Sequence, residues 1–266
     1  SQNVLARFGD AGKVAAECDV TVAVLGINKS IEREGQDRFS LELPVDQQEF
    51  IKELYKVNPN TVVVLVAGSS MAVNWMDENV PAILNAWYPG EQGGNAVAEV
   101  LFGDYNPGGR LPLTYYNSLD EIPAFDNYFV KGRTYQYFEG QPLYEFGYGL
   151  SYTKFRYKSK GVNVEQDTVK VSFEVSNTGK YDGDEVTQVY VKYPETGTYM
   201  PLKQLHGFKR VHIKKGKTSK VTIGVPKKDL RYWDEQERKF VTPKGEYTFM
   251  VGASSDDIKF RETVGL

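Results

Sequence analysis

The sequence is poor in the groups that make covalent staples and soft metal sites. Cys18 is its one cysteine, so an intrachain disulfide is excluded. Two histidines beside that single cysteine argue against a zinc-type centre. No apolar run approaches the ~20 residues that a membrane-crossing helix needs, so no membrane span is expected. Charge of one sign is lacking too: 32 Lys and Arg stand against 35 Asp and Glu, a net charge of -3. Without a basic excess to draw a phosphate polymer, no nucleic-acid partner is expected.

What remains is an ordinary globular composition, 41% hydrophobic and 25% charged, over 266 residues. That length suits two domains of common size. Aromatic residues reach 13%, with 18 Tyr. Tyrosine packs well in β-rich cores and also offers a flat face to the C–H side of a sugar ring; packing is the preferred reading.

The two halves of the chain differ in period. Residues 20–26 (VTVAVLG) and 61–68 (TVVVLVAG) are short apolar runs closed by glycine, as in buried strands of a parallel sheet. Between them Phe50, Ile51 and Leu54 share one helical face, with Pro44 near the first turn, and the whole reads as a βαβ unit. A further strand is expected over 82–87 and a helix over 92–102. From about residue 150 the apolar positions alternate: Val169, Val171, Phe173, Val175; Val189, Val191, Tyr193; Val221, Ile223, Val225; Tyr247, Phe249, Val251. Period two over about 115 residues, punctuated by turn clusters, predicts a seven-stranded immunoglobulin-like sandwich. The expected fold class is thus α/β plus all-β. Expected segments are a partial α/β sandwich with a mostly parallel sheet over 1–115, an ordered connector over 116–150 and the β-sandwich over 151–266.

The loop after the first strand carries Glu32, Glu34 and Asp37 within six residues, beside Arg33, Arg38 and the flexible Gly35. Open α/β sheets place ligand sites at such carboxyl ends, and clustered charges can tune a carboxylic acid for proton transfer. From spacing alone a solvated charged loop is the preferred reading.

The chain resembles glycoside hydrolase family 3, the exo-acting β-glucosidases and β-xylosidases. The resemblance rests on Ile31-Glu32-Arg33-Glu34-Gly35-Gln36-Asp37-Arg38 with Leu41-Glu42-Leu43-Pro44 and Gln47, on Ala86-Trp87-Tyr88-Pro89-Gly90-Glu91-Gln92-Gly93-Gly94, and on residues 101–112, 142–153 and 205–211. These pieces stand in family order along almost the whole chain.

The resemblance implies a three-part enzyme: a β/α barrel with an aspartate nucleophile, an α/β sandwich with the acid/base glutamate, and a fibronectin type III-like domain. The barrel and the first strands of the α/β domain are not in this sequence, so a barrel-containing amino-terminal segment of the same enzyme is the expected partner. By the same resemblance Glu34 is the acid/base, with Glu32 the alternative and a candidate substrate contact. Asp37 and Arg38 are expected to form an ion pair that supports the loop. The expected substrate is an oligosaccharide or aryl glycoside, and the implied hydrolysis needs no metal or organic cofactor. The Ser-Ile-Glu-x-Glu-Gly-x-Asp-Arg form followed by Leu-x-Leu-Pro looks most like the β-xylosidase branch, with β-glucosidase close behind, and the implied location is secreted or periplasmic. A non-catalytic carbohydrate-binding or scaffolding fragment is the rival from another class.

Among the other polar and aromatic features, Asp77 and Glu78 read as a turn and helix cap, Trp75 and Trp87 as core residues, and Tyr128–Tyr135 as plain packing. His206 and His212 read as structural or surface residues.

Overall fold

The computed structural model describes residues 8–266; the first seven residues of the expected 1–115 segment lie outside them. The chain divides into two compact units, one of residues 1–102, 115–122 and 141–143, the other of 103–114, 123–140 and 144–266.

In the first unit α1 (Ala11–Glu17) leads to β1 (Thr21–Gly26), α2 (Val45–Val57), β2 (Thr61–Val66), α3 (Asn74–Asn79), β3 (Ala82–Asn85) and α4 (Gly93–Phe102). The three strands form a parallel sheet in the order β1-β2-β3. Val63, Val64 and Leu65 of the central strand are almost fully buried. Both faces of β2 are covered, and alternation is lost as a two-sided burial requires. Strand β1 departs from the expected buried strand. Among the described residues it lies at the edge of the sheet, and Val22 and Val24, on one face by strand parity, are 47% and 65% exposed. Helix α2 forms where the 3.6-residue period places it: Ile51 and Leu54 are buried, and the Phe50 ring lies 4.5 Å from that of Phe8.

The second unit begins with irregular segments and the short helix α5 (Thr134–Tyr137). Then follow β4 (Phe155–Val164), β5 (Thr168–Asn177), β6 (Gly183–Lys192), β7 (Gln204–Ile213), β8 (Thr218–Pro226), the small hairpin β9 (Tyr232–Asp234) and β10 (Lys239–Val241), β11 (Glu246–Gly252) and β12 (Ile258–Gly265). Two antiparallel sheets, β4-β5-β8 and β12-β11-β6-β7, make a sandwich of seven strands. Every apolar position picked out by alternation is buried in its core, from Val169 to Val251. Such side chains each contribute roughly 1.5–3 kcal/mol by leaving water, which offsets the ordering of the strands.

Strand β6 is buried on both faces. On its second face Tyr190 meets Tyr135 edge-on at 5.7 Å, and Tyr135 stacks on Phe146 at 4.4 Å. Gln188 Nε2 donates to the Gly147 carbonyl at 3.2 Å. Tyr128 and Phe129 do not share the packing expected of them: they are 92% and 78% exposed. The Arg133 guanidinium, which donates to the carbonyls of Pro123, Ala124 and Asn127, holds that loop by its backbone and leaves those rings outside.

Candidate active site

The acidic loop leaves the carboxyl end of β1 through a fixed exit. Gly26 N–H donates to Gln47 Oε1 and Gln47 Nε2 donates to Gly26 O, both at 2.8 Å, so one amide from the first turn of α2 satisfies both backbone groups of the last strand residue. The Tyr88 hydroxyl donates to Ile27 O at 3.3 Å. Asn28 Oδ1 then accepts from Ser30 N–H at 2.8 Å and from Ser30 Oγ at 2.6 Å, a side-chain-closed turn of the kind Asn favours.

The next residues make a tight hairpin. Arg33 and Gln36 exchange backbone hydrogen bonds of 3.1 and 2.9 Å, which leaves Glu34 and Gly35 at the tip. Gly35 has φ +75°, a conformation that costs glycine nothing and other residues strain. Glu34 is exposed, and among the described residues its carboxylate enters none of the bonds that hold the loop.

Below that tip, Glu32 and Arg38 close the base. Arg38 Nε lies 2.5 Å from Glu32 Oε2, with the two side chains 8% and 27% exposed. Ser69, from the segment after β2, donates its hydroxyl to the same Glu32 oxygen at 2.7 Å and accepts from Arg38 Nη2 at 2.9 Å. Arg38 also donates to Ser70 O at 2.8 Å and reaches Met71 Sδ at 3.0 Å. A planar guanidinium with five donors can serve all of these at once; an ammonium could not.

This arrangement corrects one expectation. The ion pair of Arg38 is with Glu32 and not with Asp37, which is exposed. Neighbouring residues of an extended segment point to opposite sides, so when Arg38 turns in, Asp37 turns out. The same rule would put Glu32 and Glu34 on one side of an extended segment; the hairpin that begins between them breaks the parity. Phe39, also outward, is 99% exposed.

Other candidate positions fall elsewhere. Asp77 lies within α3 rather than in a turn, and Glu78 follows it in the same helix. Trp75 is half-buried, edge-on to Tyr55 at 5.7 Å, and Trp87 is half-buried with φ +54° at the end of the strand segment. His206 contacts the Tyr193 hydroxyl at 2.9 Å and His212 pairs with Asp184 at 2.7 Å, both within the sandwich. Among the described residues no group of three or more His, Cys, Asp or Glu is placed to hold a metal ion. Ser69 and Met71 gave no sequence signal, being small or apolar residues more than 30 positions from the loop they hold.

Residues 5–152 match the sequence profile of the glycosyl hydrolase family 3 C-terminal domain. The chain belongs to glycosyl hydrolase family 3. Residues 185–255, within the sandwich, match the fibronectin type III-like domain. Relatives within the family include a xylan 1,4-beta-xylosidase of Xylanibacter ruminicola, 42% identical over 225 residues, covering 84% of this chain and 26% of that protein. A periplasmic beta-glucosidase of Salmonella typhimurium is 34% identical over 96% of this chain and 35% of its own. The crystal structure of the Kluyveromyces marxianus beta-glucosidase in complex with glucose superposes with a TM-score of 0.90 at 36% identity, over 97% of this chain and 33% of that one. The family 3 chain described here therefore spans about a quarter to a third of the length of these relatives.

Proposed function

We propose that this chain is the acid/base-bearing part of a retaining exo-β-glycosidase that releases terminal β-linked sugars, and that Glu34 is its proton donor. The observation that carries the choice is the contrast between the two glutamates. Glu32 Oε2 is occupied as an acceptor by Arg38 and Ser69, whereas Glu34 stands exposed at the tip of a turn whose base is fixed.

Retaining hydrolysis uses two carboxyl groups about 5–5.5 Å apart. One protonates the glycosidic oxygen as the leaving group departs, and the other attacks the anomeric carbon; the first then takes a proton from the water that releases the sugar. A donor of this kind has to hold its proton near neutral pH, which burial or a second nearby carboxylate brings about. Both conditions fall to the barrel-containing amino-terminal segment expected to supply the nucleophilic aspartate. Glu34 gives the proton, Glu32 and Arg38 hold its loop, and Asp37 lies beside them on the solvent side.

The sugar is proposed to be β-D-xylose, from the loop's form and the likeness to the Xylanibacter xylosidase. β-D-Glucose is the second reading, favoured by the superposition on a glucose complex. Discrimination between them rests on hydrogen bonds to the sugar's C5 substituent. A secreted or periplasmic location fits the likeness to a periplasmic relative. In the complete enzyme, Glu34→Gln is expected to lower kcat/KM on xylobiose by about 10²–10⁴-fold, the usual contribution of a general acid. Azide is expected to restore turnover of Glu34→Ala on aryl xylosides with good leaving groups. Normal activity of Glu34→Gln removes the assignment, and rescue of Glu32→Ala alone exchanges the two glutamates. Loss of glycan binding without loss of any hydrolysis would favour the non-catalytic rival.

A further inference from the structure

We infer that Ser69 is a positioning residue for proton transfer, acting through Glu32 and Arg38 on the turn that carries Glu34. The inference rests on the reading of Glu34 as the acid.

A carboxyl group on an exposed turn is not a good proton donor merely by being present. Proton transfer requires hydrogen-bond reach of the leaving oxygen, and misplacement by about 1 Å costs on the order of 10²-fold. Loop tips move unless their bases are tied to the scaffold. Here the tip is Glu34-Gly35, the inner tie is the Arg33–Gln36 backbone exchange, and the outer tie is the Glu32–Arg38 ion pair. Both ties are internal to the loop, so by themselves they shape the hairpin without fixing it to the sheet.

Ser69 supplies a side-chain link from the neighbouring segment to both members of the ion pair. Its hydroxyl has one proton and accepting lone pairs, and both functions are used: the proton goes to Glu32 Oε2 at 2.7 Å, and a lone pair accepts from Arg38 Nη2 at 2.9 Å. With the 2.5 Å contact between Arg38 and Glu32, the three side chains form a closed triangle. Ser69 stands beyond Ala67 and Gly68 in the segment that leaves β2, and β2 is the neighbour of β1 from which the acidic loop departs. The bonds from Arg38 to Ser70 O and Met71 Sδ run to the same segment, and Ala72 N–H donates to Leu41 O at 2.8 Å, so the far end of the loop is tied there as well. Ser69 is the member of that segment that touches both partners of the ion pair. The base of the acid turn is thereby tied to the segment that leaves β2, the strand hydrogen-bonded to β1.

The consequence is selective. A substrate whose leaving group departs only when protonated depends on where Glu34 stands; one with a very acidic leaving group does not. In the complete enzyme, Ser69→Ala is expected to lower kcat/KM about tenfold or more on xylobiose. On 2,4-dinitrophenyl β-xyloside the fall is expected to stay within about threefold, because that phenolate leaves unprotonated. Ser69→Thr, which keeps the hydroxyl, is expected to restore the xylobiose rate. In a Glu34→Gln background, Ser69→Ala is expected to add no further loss on xylobiose, since the residue acts through the acid.

Equal losses on both substrates, an unchanged xylobiose rate, or multiplicative losses in the double variant overturn the inference. Should Ser69→Ala not fold, a Ser69→Thr enzyme impaired equally on both substrates does the same. If Glu34→Gln impairs xylobiose hydrolysis but Ser69→Ala does not, this inference alone fails. If Glu34→Gln is fully active, both it and the reading beneath it fail.

Discussion

Gly26 ends β1 opposite Val66, and a Cβ built on it would stand 1.8 Å from the Val66 carbonyl oxygen. Its φ of +155° is likewise a conformation that L side chains avoid. The exit of the acid loop is therefore reserved for glycine twice over, once by contact with backbone that cannot rotate away and once by its own torsion. Gly26→Ala is expected to cost about 3 kcal/mol or more, through strand separation and strain together. Urea denaturation checks it, and a cost within experimental error of zero would contradict the geometry.

Within the sandwich unit, Arg110 Nη2 donates to Glu185 Oε2 at 2.7 Å, with the side chains 8% and 3% exposed. The Tyr157 hydroxyl donates to the other Glu185 oxygen at 2.6 Å. Glu185→Ala leaves a buried guanidinium and a phenol without their acceptor, and an expected loss of about 3–5 kcal/mol follows. Arg110→Met together with Glu185→Leu removes both charges and is expected to cost less than the single change. A double variant less stable than Glu185→Ala would refute this account.

His206 provides a pH handle. Burial lowers its pKa below the ordinary 6.5, opposed in part by the charge of Asp229. Above about pH 6.5 the residue is neutral both folded and unfolded, and it leaves stability unchanged. As pH falls through that value the unfolded chain takes up the proton first, so stability declines until the pH passes below the folded pKa, where the decline levels off. The melting temperature of the wild-type protein is expected to drop more steeply below about pH 6.5 than that of His206→Gln. Calorimetry across that range decides it, and parallel pH profiles would rule the effect out.

The exposed face of β1 should behave as an incomplete surface. Val22 and Val24 present apolar area on a strand that is the edge of its sheet among the described residues, and such an edge can template further pairing. The 266-residue chain expressed alone is expected to self-associate. Val22→Lys with Val24→Lys is expected to reduce that association, since charge on an edge strand opposes pairing. Sedimentation velocity provides the measurement; a wild-type chain that stays monomeric at all concentrations tested contradicts the prediction.

How far the sequence reaches can be judged element by element. Strands β5, β6, β8 and β11 were legible because each buries every second side chain in one core, which writes period two into the chain. Edge position does not by itself hide a strand, since β8 is an edge and is legible; the other edges are β4, β7 and β12. Their apolar positions are fewer or interrupted, as in Phe208-Lys209-Arg210, all exposed, and no single period marks them. Strand β1 misled for a related reason: an apolar run says that a strand can be covered on both faces, not that it is. Tyr128 and Phe129 show the same limit, because an aromatic residue in irregular backbone carries no indication of its direction.

At the candidate site the division is sharper. Chain order by itself determined that a carboxylate-rich loop follows the first parallel strand, that Gly35 lies next to Glu34, and that the loop has the form seen in family 3. Which of its charges meet was decided only by the tertiary structure. Arg38 turns away from its neighbour Asp37 and toward Glu32, six residues back, because a hairpin intervenes and because Ser69, Ser70 and Met71 offer it acceptors from the segment after β2. Local sequence encodes backbone period and turn chemistry; pairing between side chains more than 30 residues apart depends on which strand ends the sheet brings together.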